Sequence, residues 1–202
     1  SLSCADVTVT MEGPRGPVTV LDRVTCEFTA RRTAVIGLNG SGKSTLLRLF
    51  NGLVTPTSGV VRTGSVDPVA FPREARSLVG FVFTDPASQI LMPTPLEDIE
   101  LSLRRRVPDR VQRTEQALSW LRRMGLEHRA HHSVFDLSGG ERRRAMLARG
   151  IAQGTDLLVL EIAGDRVCDD QACRDAVMLQ GLHDVIDDNP GESRSTASVC
   201  RC

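Results

Sequence analysis

The sequence feature that most constrains the fold is a glycine-rich loop near residue 40. Residues 33–36 are rich in β-branched side chains and predict a strand, and the apolar spacing over residues 44–53 predicts a helix. The segment between them, GLNGSGKS at residues 37–44, fits the pattern GxxxxGK[ST] at every fixed position. Its glycines let successive backbone N–H groups turn toward one anion. The sequence therefore predicts an α/β fold with a phosphate-binding loop.

The loop carries the only lysine of the chain, Lys43. In loops of this pattern the lysine reaches the β- and γ-phosphates of a nucleotide, and the hydroxyl equivalent to Ser44 binds Mg²⁺. The alternative is an ordinary glycine-rich turn followed by a chance Lys-Ser pair. The strand–loop–helix context favours nucleotide binding with Mg²⁺. The predicted binding residues are Gly37, Leu38, Asn39, Gly40, Ser41, Gly42, Lys43, Ser44 and Thr45.

A second motif, LSGGE at residues 137–141, precedes a predicted helix. Ser138 followed by Gly139 and Gly140 leaves backbone N–H groups at a helix start, which is a second candidate anion site. An ordinary helix cap at Ser138 explains this segment equally well when it is considered alone.

Together, GLNGSGKST and LSGGE resemble the Walker A loop and the signature motif of ATP-binding cassette (ABC) ATPases. In that family the signature serves the ATP held by a second subunit. The resemblance thus implies a head-to-tail dimer, homomeric or heteromeric, around two ATP molecules. Residues 78–103 are similar to the Q-loop region of importer ATPases of the energy-coupling-factor type, which serve solutes such as biotin and cobalt. Thr84 stands where that family has a glutamine.

The apolar run at residues 157–160 predicts a buried strand that ends at Glu161. The family resemblance places Glu161 where an aspartate helps to hold Mg²⁺, and Ile162 where a glutamate polarises the attacking water. In the alternative register, Glu161 is the catalytic base and the strand end lacks a metal ligand. Isoleucine accepts no proton, and the loss of a positioned base typically costs ~10²–10⁴-fold in rate. Glu161 is therefore the candidate both for catalysis and for the metal.

The sequence after residue 163 departs from the family. His183 comes too soon after Glu161 to match the family's switch histidine, and no later stretch has the pattern of the missing strand. The tail is acidic and then rich in Ser and Cys, which predicts disorder after Asn189-Pro190. We expect a nucleotide-binding domain at 1–163, with a helical subdomain at about 95–140, and a divergent, partly disordered tail at 164–202 that reflects truncation, frameshift or decay.

The N-terminal segment alternates apolar and polar residues around a Gly/Pro turn, which predicts two antiparallel strands. The family places an adenine-stacking aromatic near the end of the first strand; here Met11 falls there, and the chain has no tyrosine. Cys4 and Cys26 are isolated and the other cysteines lie near the C-terminus, where the pair Cys200 and Cys202 lacks the CxxC spacing of a zinc site. We expect reduced thiols. The predicted fold is a P-loop α/β core with an N-terminal antiparallel β portion, an inserted helical subdomain and missing C-terminal strands.

Charge and hydropathy exclude several function classes. The chain has 25 basic and 25 acidic residues, so a global basic field that would bind nucleic acid is absent. No stretch approaches the ~20 apolar residues of a membrane span, and the first residues lack the pattern of a signal peptide. We expect a cytoplasmic protein held at the inner face of the membrane by transmembrane transporter subunits.

The sequence thus favours the ATP-binding subunit of an ABC importer, which couples ATP binding and hydrolysis to uptake of a vitamin or metal ion. One alternative is a hydrolysis-deficient remnant or regulatory subunit that holds ATP, as Ile162 suggests. A soluble ABC ATPase outside transport is less favoured, because long coiled-coil heptads and net basic charge are absent. A small-molecule P-loop kinase leaves LSGGE unexplained.

Overall fold

The structure, a computed structural model, describes residues 1–83 and 89–162, together with the backbone of two strands at 175–180 and 197–201. The chain separates into two units. The first comprises Ser1–Phe81 with Thr155–Cys202, and the second comprises Val82–Gly154. Each unit has its own apolar core.

A three-stranded antiparallel sheet opens the first unit. It contains β1 (Leu2–Gly13), β2 (Gly16–Phe28) and β4 (Ser58–Thr63) in the order β2-β1-β4. Alternate residues of β1 are buried, as expected for a strand with one face on the core. The predicted N-terminal antiparallel β portion is confirmed.

A five-stranded sheet carries the phosphate loop. It contains β3 (Arg32–Ile36), β5 (Val79–Val82), β6 (Leu157–Ile162), β7 (Asp175–Gln180) and β8 (Ala197–Arg201), in the order β5-β6-β7-β3-β8. The apolar run at the start of β6, residues 157–159, is buried. The strand β7 runs antiparallel to both of its neighbours, whereas β8 runs parallel to β3.

The strands β7 and β8 lie in the C-terminal part of the chain, for which the sequence predicted no strand. Neither DAVMLQ nor ASVCR was predicted as a strand, because each contains only one β-branched residue, a valine. Pairing with β3 and β6 supplies backbone hydrogen bonds to segments whose side-chain pattern is weak. Residues 163–174, 181–196 and 202, and with them the predicted disorder and His183, lie outside the described residues.

Two short helices, α1 (Lys43–Leu49) and α2 (Pro72–Leu78), complete the first unit. The helix α1 buries Leu46, Leu47 and Leu49, and Phe50 directly after it packs edge-on against Phe28 with ring centroids 5.8 Å apart. Full burial of each such side chain contributes about 1.5–3 kcal/mol. The helix that follows the phosphate loop is therefore anchored in the core of its unit.

The second unit is helical. It contains α3 (Pro95–Leu103), α4 (Arg110–Arg123) and α5 (Gly139–Ala152), and each begins at a side-chain cap. Thr94, Asp109 and Ser138 each accept a hydrogen bond from the backbone N–H three residues later. The core between the helices consists of Leu96, Ile99, Leu103, Ala117, Leu121, Leu126, Ala130, Leu137, Ala145, Ala148 and Ala152. The predicted inserted helical subdomain is confirmed. Within the described part of the chain, no helix combines the length and apolarity that crossing a bilayer requires.

Candidate functional site

The glycine-rich loop lies between the end of β3 and the start of α1. Gly40 and Gly42 adopt the left-handed backbone, with φ of 83° and 88°. A Cβ at Gly42 would lie 2.7 Å from the Leu21 side chain and 2.9 Å from the Val20 carbonyl oxygen. Glycine is thus required at position 42 both by conformation and by the close approach of β2. Residues 39–45 and Val20 enclose a cleft of about 420 Å³.

Lys43 is held over this loop by the loop itself. Its ammonium donates hydrogen bonds to the carbonyl oxygens of Gly37 at 2.5 Å and Leu38 at 2.7 Å, and to Ser41 Oγ at 3.4 Å. Only 7% of the residue is exposed. A buried ammonium needs acceptors, and these three oxygens supply them. The ammonium of Lys43 therefore lies inside the loop, within hydrogen-bond distance of the loop's carbonyl oxygens.

The end of β6 brings an acid to the first turn of α1. Ser44 Oγ donates a hydrogen bond to Glu161 Oε1, and the guanidinium of Arg48 lies 3.7 Å from Glu161 Oε2. The Glu161 side chain is only 12% exposed. A hydroxyl and a carboxylate oxygen are hard ligands of the kind that Mg²⁺ prefers, so the donor set fits this ion. Arg48 competes with a metal for the same carboxylate.

Ser138 begins α5 in the second unit, where it forms a complete capping box with Glu141. The Ser138 N–H and Oγ each donate to Glu141 Oε2 at 2.8 Å, and Glu141 N donates back to Ser138 Oγ at 3.3 Å. The bonds from Ser138, followed by that from Arg129, lower the pKa of Glu141 from 4.5 to about 2. Ser138, Gly139 and Gly140 are all exposed, so their polar groups face outward.

Two arginines that sequence reasoning did not single out, Arg129 and Arg149, hold acids of the second unit. Arg129 Nε donates to Glu141 Oε1 at 3.0 Å and orients the acid of the capping box. The buried Asp98 accepts from the backbone N–H groups of Leu91 and Met92, and Arg149 Nε lies 3.5 Å from its other oxygen. No local motif marks these pairs, because their partners lie on different segments. Thr84 lies outside the described residues, as does the side chain of Ile162.

A comparison with known families settles the class of protein. The family model described as "ABC transporter" matches residues 22–161, which is more than half of the chain. The chain belongs to the ABC transporter family. The predicted family and the predicted P-loop α/β fold are thereby confirmed.

Relatives in this family serve different systems. The biotin transport ATP-binding protein BioM of Rhizobium etli is 38% identical over 72% of this chain and 65% of its own length. The energy-coupling factor transporter ATP-binding protein EcfA of Methanoculleus marisnigri is 41% identical over 73% of this chain and 54% of its own length. The lipoprotein-releasing system ATP-binding protein LolD of Pseudomonas fluorescens is 36% identical over 79% of this chain and 73% of its own length.

A solved structure shows the same fold. The ATP-binding cassette MJ0796, described as dimeric and bound to ADP and Pi, superposes with a TM-score of 0.67 at 29% identity, over 78% of this chain and 72% of that chain. The first curated relatives that the chain matches are longer, and the chain spans 65% of their length.

Proposed function

We propose that the chain is the ATP-binding subunit of an ABC importer and holds MgATP at the phosphate loop. The contact between Ser44 and Glu161, which lie 117 residues apart in the sequence, carries this proposal. It joins two oxygen ligands suited to Mg²⁺ at the end of a loop with the complete GxxxxGKS pattern. A chance Lys-Ser pair after a glycine turn would have no reason to meet an acid from the end of a distant strand.

Binding requires Lys43 to exchange partners. The ammonium leaves the carbonyl oxygens of Gly37 and Leu38 for phosphate oxygens, which carry charge and form stronger hydrogen bonds. Ser44 and Glu161 would hold Mg²⁺, whose charge would offset that of the phosphates. Because the carboxylate also lies near Arg48, metal binding requires Glu161 to turn away from the guanidinium.

Hydrolysis requires a group that accepts a proton from the attacking water. Glu161 is engaged by Ser44 and Arg48, and the next position is Ile162, which cannot accept a proton from water. The rate with Ile162 is expected to lie ~10²–10⁴-fold below that of a site with a positioned base. The second candidate function, an ATP-holding subunit with poor turnover, rests on this residue.

The exposed start of α5 supports a dimer. Ser138, Gly139 and Gly140 present a hydroxyl and backbone N–H groups outward, where they can serve a nucleotide bound by a second subunit, identical or different. In this proposal the Ser138 hydroxyl leaves Glu141 and donates to a phosphate. The bonds from Ser138 N to Glu141 Oε2 and from Glu141 N to Ser138 Oγ remain and keep the helix start in place.

A groove on the second unit fits a transmembrane partner. It has a volume of about 300 Å³ and is lined by residues 90–93, Val134, Phe135 and Arg142. Leu91 and Phe135 are 66% and 82% exposed, which leaves large apolar side chains for a partner to cover. The relatives named for biotin transport and energy coupling support import of a small solute, such as a vitamin or a metal ion, at the inner face of the membrane.

MgATP affinity and phosphate release, measured on the same sample, test the proposal. Lys43→Ala is expected to weaken MgATP binding about 10²-fold, because it removes a charged donor whose hydrogen bonds contribute about 1.5–3 kcal/mol each. Ser65→Ala, an exposed serine of the same unit, is the matched control and is expected to bind normally. Unchanged affinity in Lys43→Ala would overturn the nucleotide site. Turnover typical of a working ATPase, lost in Lys43→Ala, would reject the poor-turnover alternative.

A further inference from the structure

Two cysteines that are isolated in the sequence meet across the first hairpin. Cys4 on β1 and Cys26 on β2 are direct partners in the antiparallel ladder, and their sulfur atoms lie 3.1 Å apart. Directly opposed residues of such a ladder have Cα atoms about 4.5–5.5 Å apart, within the range of about 4.4–6.8 Å found for disulfides. The backbone therefore already has the geometry that a disulfide needs.

The environment of the Cys4 and Cys26 thiols favours their oxidation to a disulfide. The thiol of Cys26 hydrogen-bonds to Cys4 and lowers the pKa of Cys4 from 9.0 to about 7, although burial opposes this change. A thiolate, not a thiol, is the nucleophile in disulfide formation. Cys4 is buried, whereas Cys26 is partly exposed. An oxidant thus reaches Cys26, and Cys4 is placed behind it to complete the bond.

We propose that Cys4 and Cys26 form an oxidisable dithiol site that a peroxide converts into an intramolecular disulfide. The Cys26 thiol passes its proton to the Cys4 thiolate, and the Cys26 sulfur attacks the peroxide. The O–O bond breaks, Cys26 becomes a sulfenic acid, and the hydroxide released takes the proton back from Cys4 to form water. The Cys4 thiolate then attacks the Cys26 sulfur, an S–S bond forms, and hydroxide leaves and takes up a proton. With hydrogen peroxide, the two thiols lose two electrons and two protons in total, and two water molecules are formed.

The site has a structural consequence because the hairpin contacts the phosphate loop. The same strand β2 that carries Cys26 places Leu21 and Val20 against Gly42. Between this contact and the cysteines the β1–β2 ladder is irregular, and Asp6 and Arg23 have positive φ of 51° and 47°. These conformations are uncommon for residues other than glycine. A disulfide between Cys4 and Cys26 would fix the pairing of β1 with β2 at the end of the hairpin that Asp6 and Arg23 separate from the phosphate loop.

Peptide mapping after mild treatment with hydrogen peroxide tests the proposal directly. The folded full chain is oxidised, the remaining thiols are alkylated under denaturing conditions, and trypsin then releases Cys4 in residues 1–15 and Cys26 in residues 24–31. These two peptides are expected to be recovered as one disulfide-linked species, reversed by dithiothreitol. Cys168 and Cys173 share a different peptide, residues 167–174, so their oxidation is counted separately.

Variants and thermal unfolding complete the test. Cys4→Ser and Cys26→Ser are each expected to abolish the linked species, whereas a chain with the four C-terminal cysteines replaced by serine retains it. Oxidation of that chain is expected to raise Tm by about 5–10 °C, since the disulfide closes a loop of more than 20 residues. Free Cys4 and Cys26 after peroxide treatment, oxidation of Cys26 beyond sulfenic acid without a link, or a linked chain with unchanged Tm would each overturn the proposal.

Discussion

The phosphate loop and the end of β6 meet at Ser44, yet they are held in place by different kinds of contact. The loop is organised from within, because Gly40 and Gly42 set its turns and its own carbonyl oxygens hold Lys43. Glu161 is held by Ser44 and Arg48, which belong to a distant stretch of the chain. The loop therefore depends on residues close to one another in the sequence, whereas the position of Glu161 depends on contacts with a distant stretch of the chain.

The largest expected effect comes from introducing a base at position 162, at the end of β6. Ile162→Glu is expected to raise phosphate release by up to ~10²–10⁴-fold, because it supplies the proton acceptor that isoleucine lacks. Phosphate release under saturating MgATP measures this change. Ile162→Gln has the same shape without the base and is the matched control. Equal rates of phosphate release in the two variants would show that a base at position 162 does not act on a nucleotide held by the phosphate loop.

Two glycine substitutions test whether the phosphate loop depends only on its own backbone conformation or also on its contact with β2. Gly42→Ala is expected to lower the free energy of unfolding by about 2–4 kcal/mol, since it adds a clash with Leu21 and Val20 to the cost of positive φ. Gly40→Ala carries only the conformational cost of about 1–2 kcal/mol, because a Cβ there meets nothing within 4 Å among the described residues. Urea denaturation compares the two variants. Equal losses would mean that the contact with β2 is unimportant.

The acid at the end of β6 should affect the metal rather than the nucleotide. Glu161→Gln is expected to reduce the enhancement of ATP affinity by Mg²⁺ about tenfold, a difference of about 1.4 kcal/mol, because an amide lacks the charge that holds the ion. Titrations of ATP with and without Mg²⁺ separate the two contributions. Arg48→Ala should change the Mg²⁺ dependence in the opposite direction, since it removes the competing cation. The same sign in both variants would contradict the proposed metal site.

The smallest expected effect comes from the start of α5. Like the phosphate loop, it is organised by residues that are close together in the sequence. The pKa of Glu141 is about 2 in the folded chain and 4.5 ordinarily, so the carboxylate stabilises the fold fully above pH 4.5. This contribution is lost as the pH falls from 4.5 toward 2. Glu141→Gln is expected to be less stable than the parent at pH 7 and to approach it at pH 2, as measured by Tm across this range. Parallel curves would show that the capping charge contributes nothing.

Local patterns predicted much of the fold and part of the candidate site. The strand–loop–helix around Lys43, the hairpin and the helix start at Ser138 depend on residues within a few positions of one another, so the sequence displays them directly. The strands β7 and β8 were not predicted, because backbone pairing with other strands stabilises segments whose own side-chain pattern is weak. Segments that depend on distant partners carry little local signal.

By itself, the sequence determined the family, the phosphate loop and the absence of a base at Ile162, because these are properties of residue type and short spacing. Only the tertiary structure decided which distant side chains meet. It joined Cys4 to Cys26, Asp98 to Arg149, and Ser44 to Glu161 with Arg48 beside them. The physical reason is that strand register and helix packing decide these contacts, and both depend on the whole chain rather than on any one segment of it.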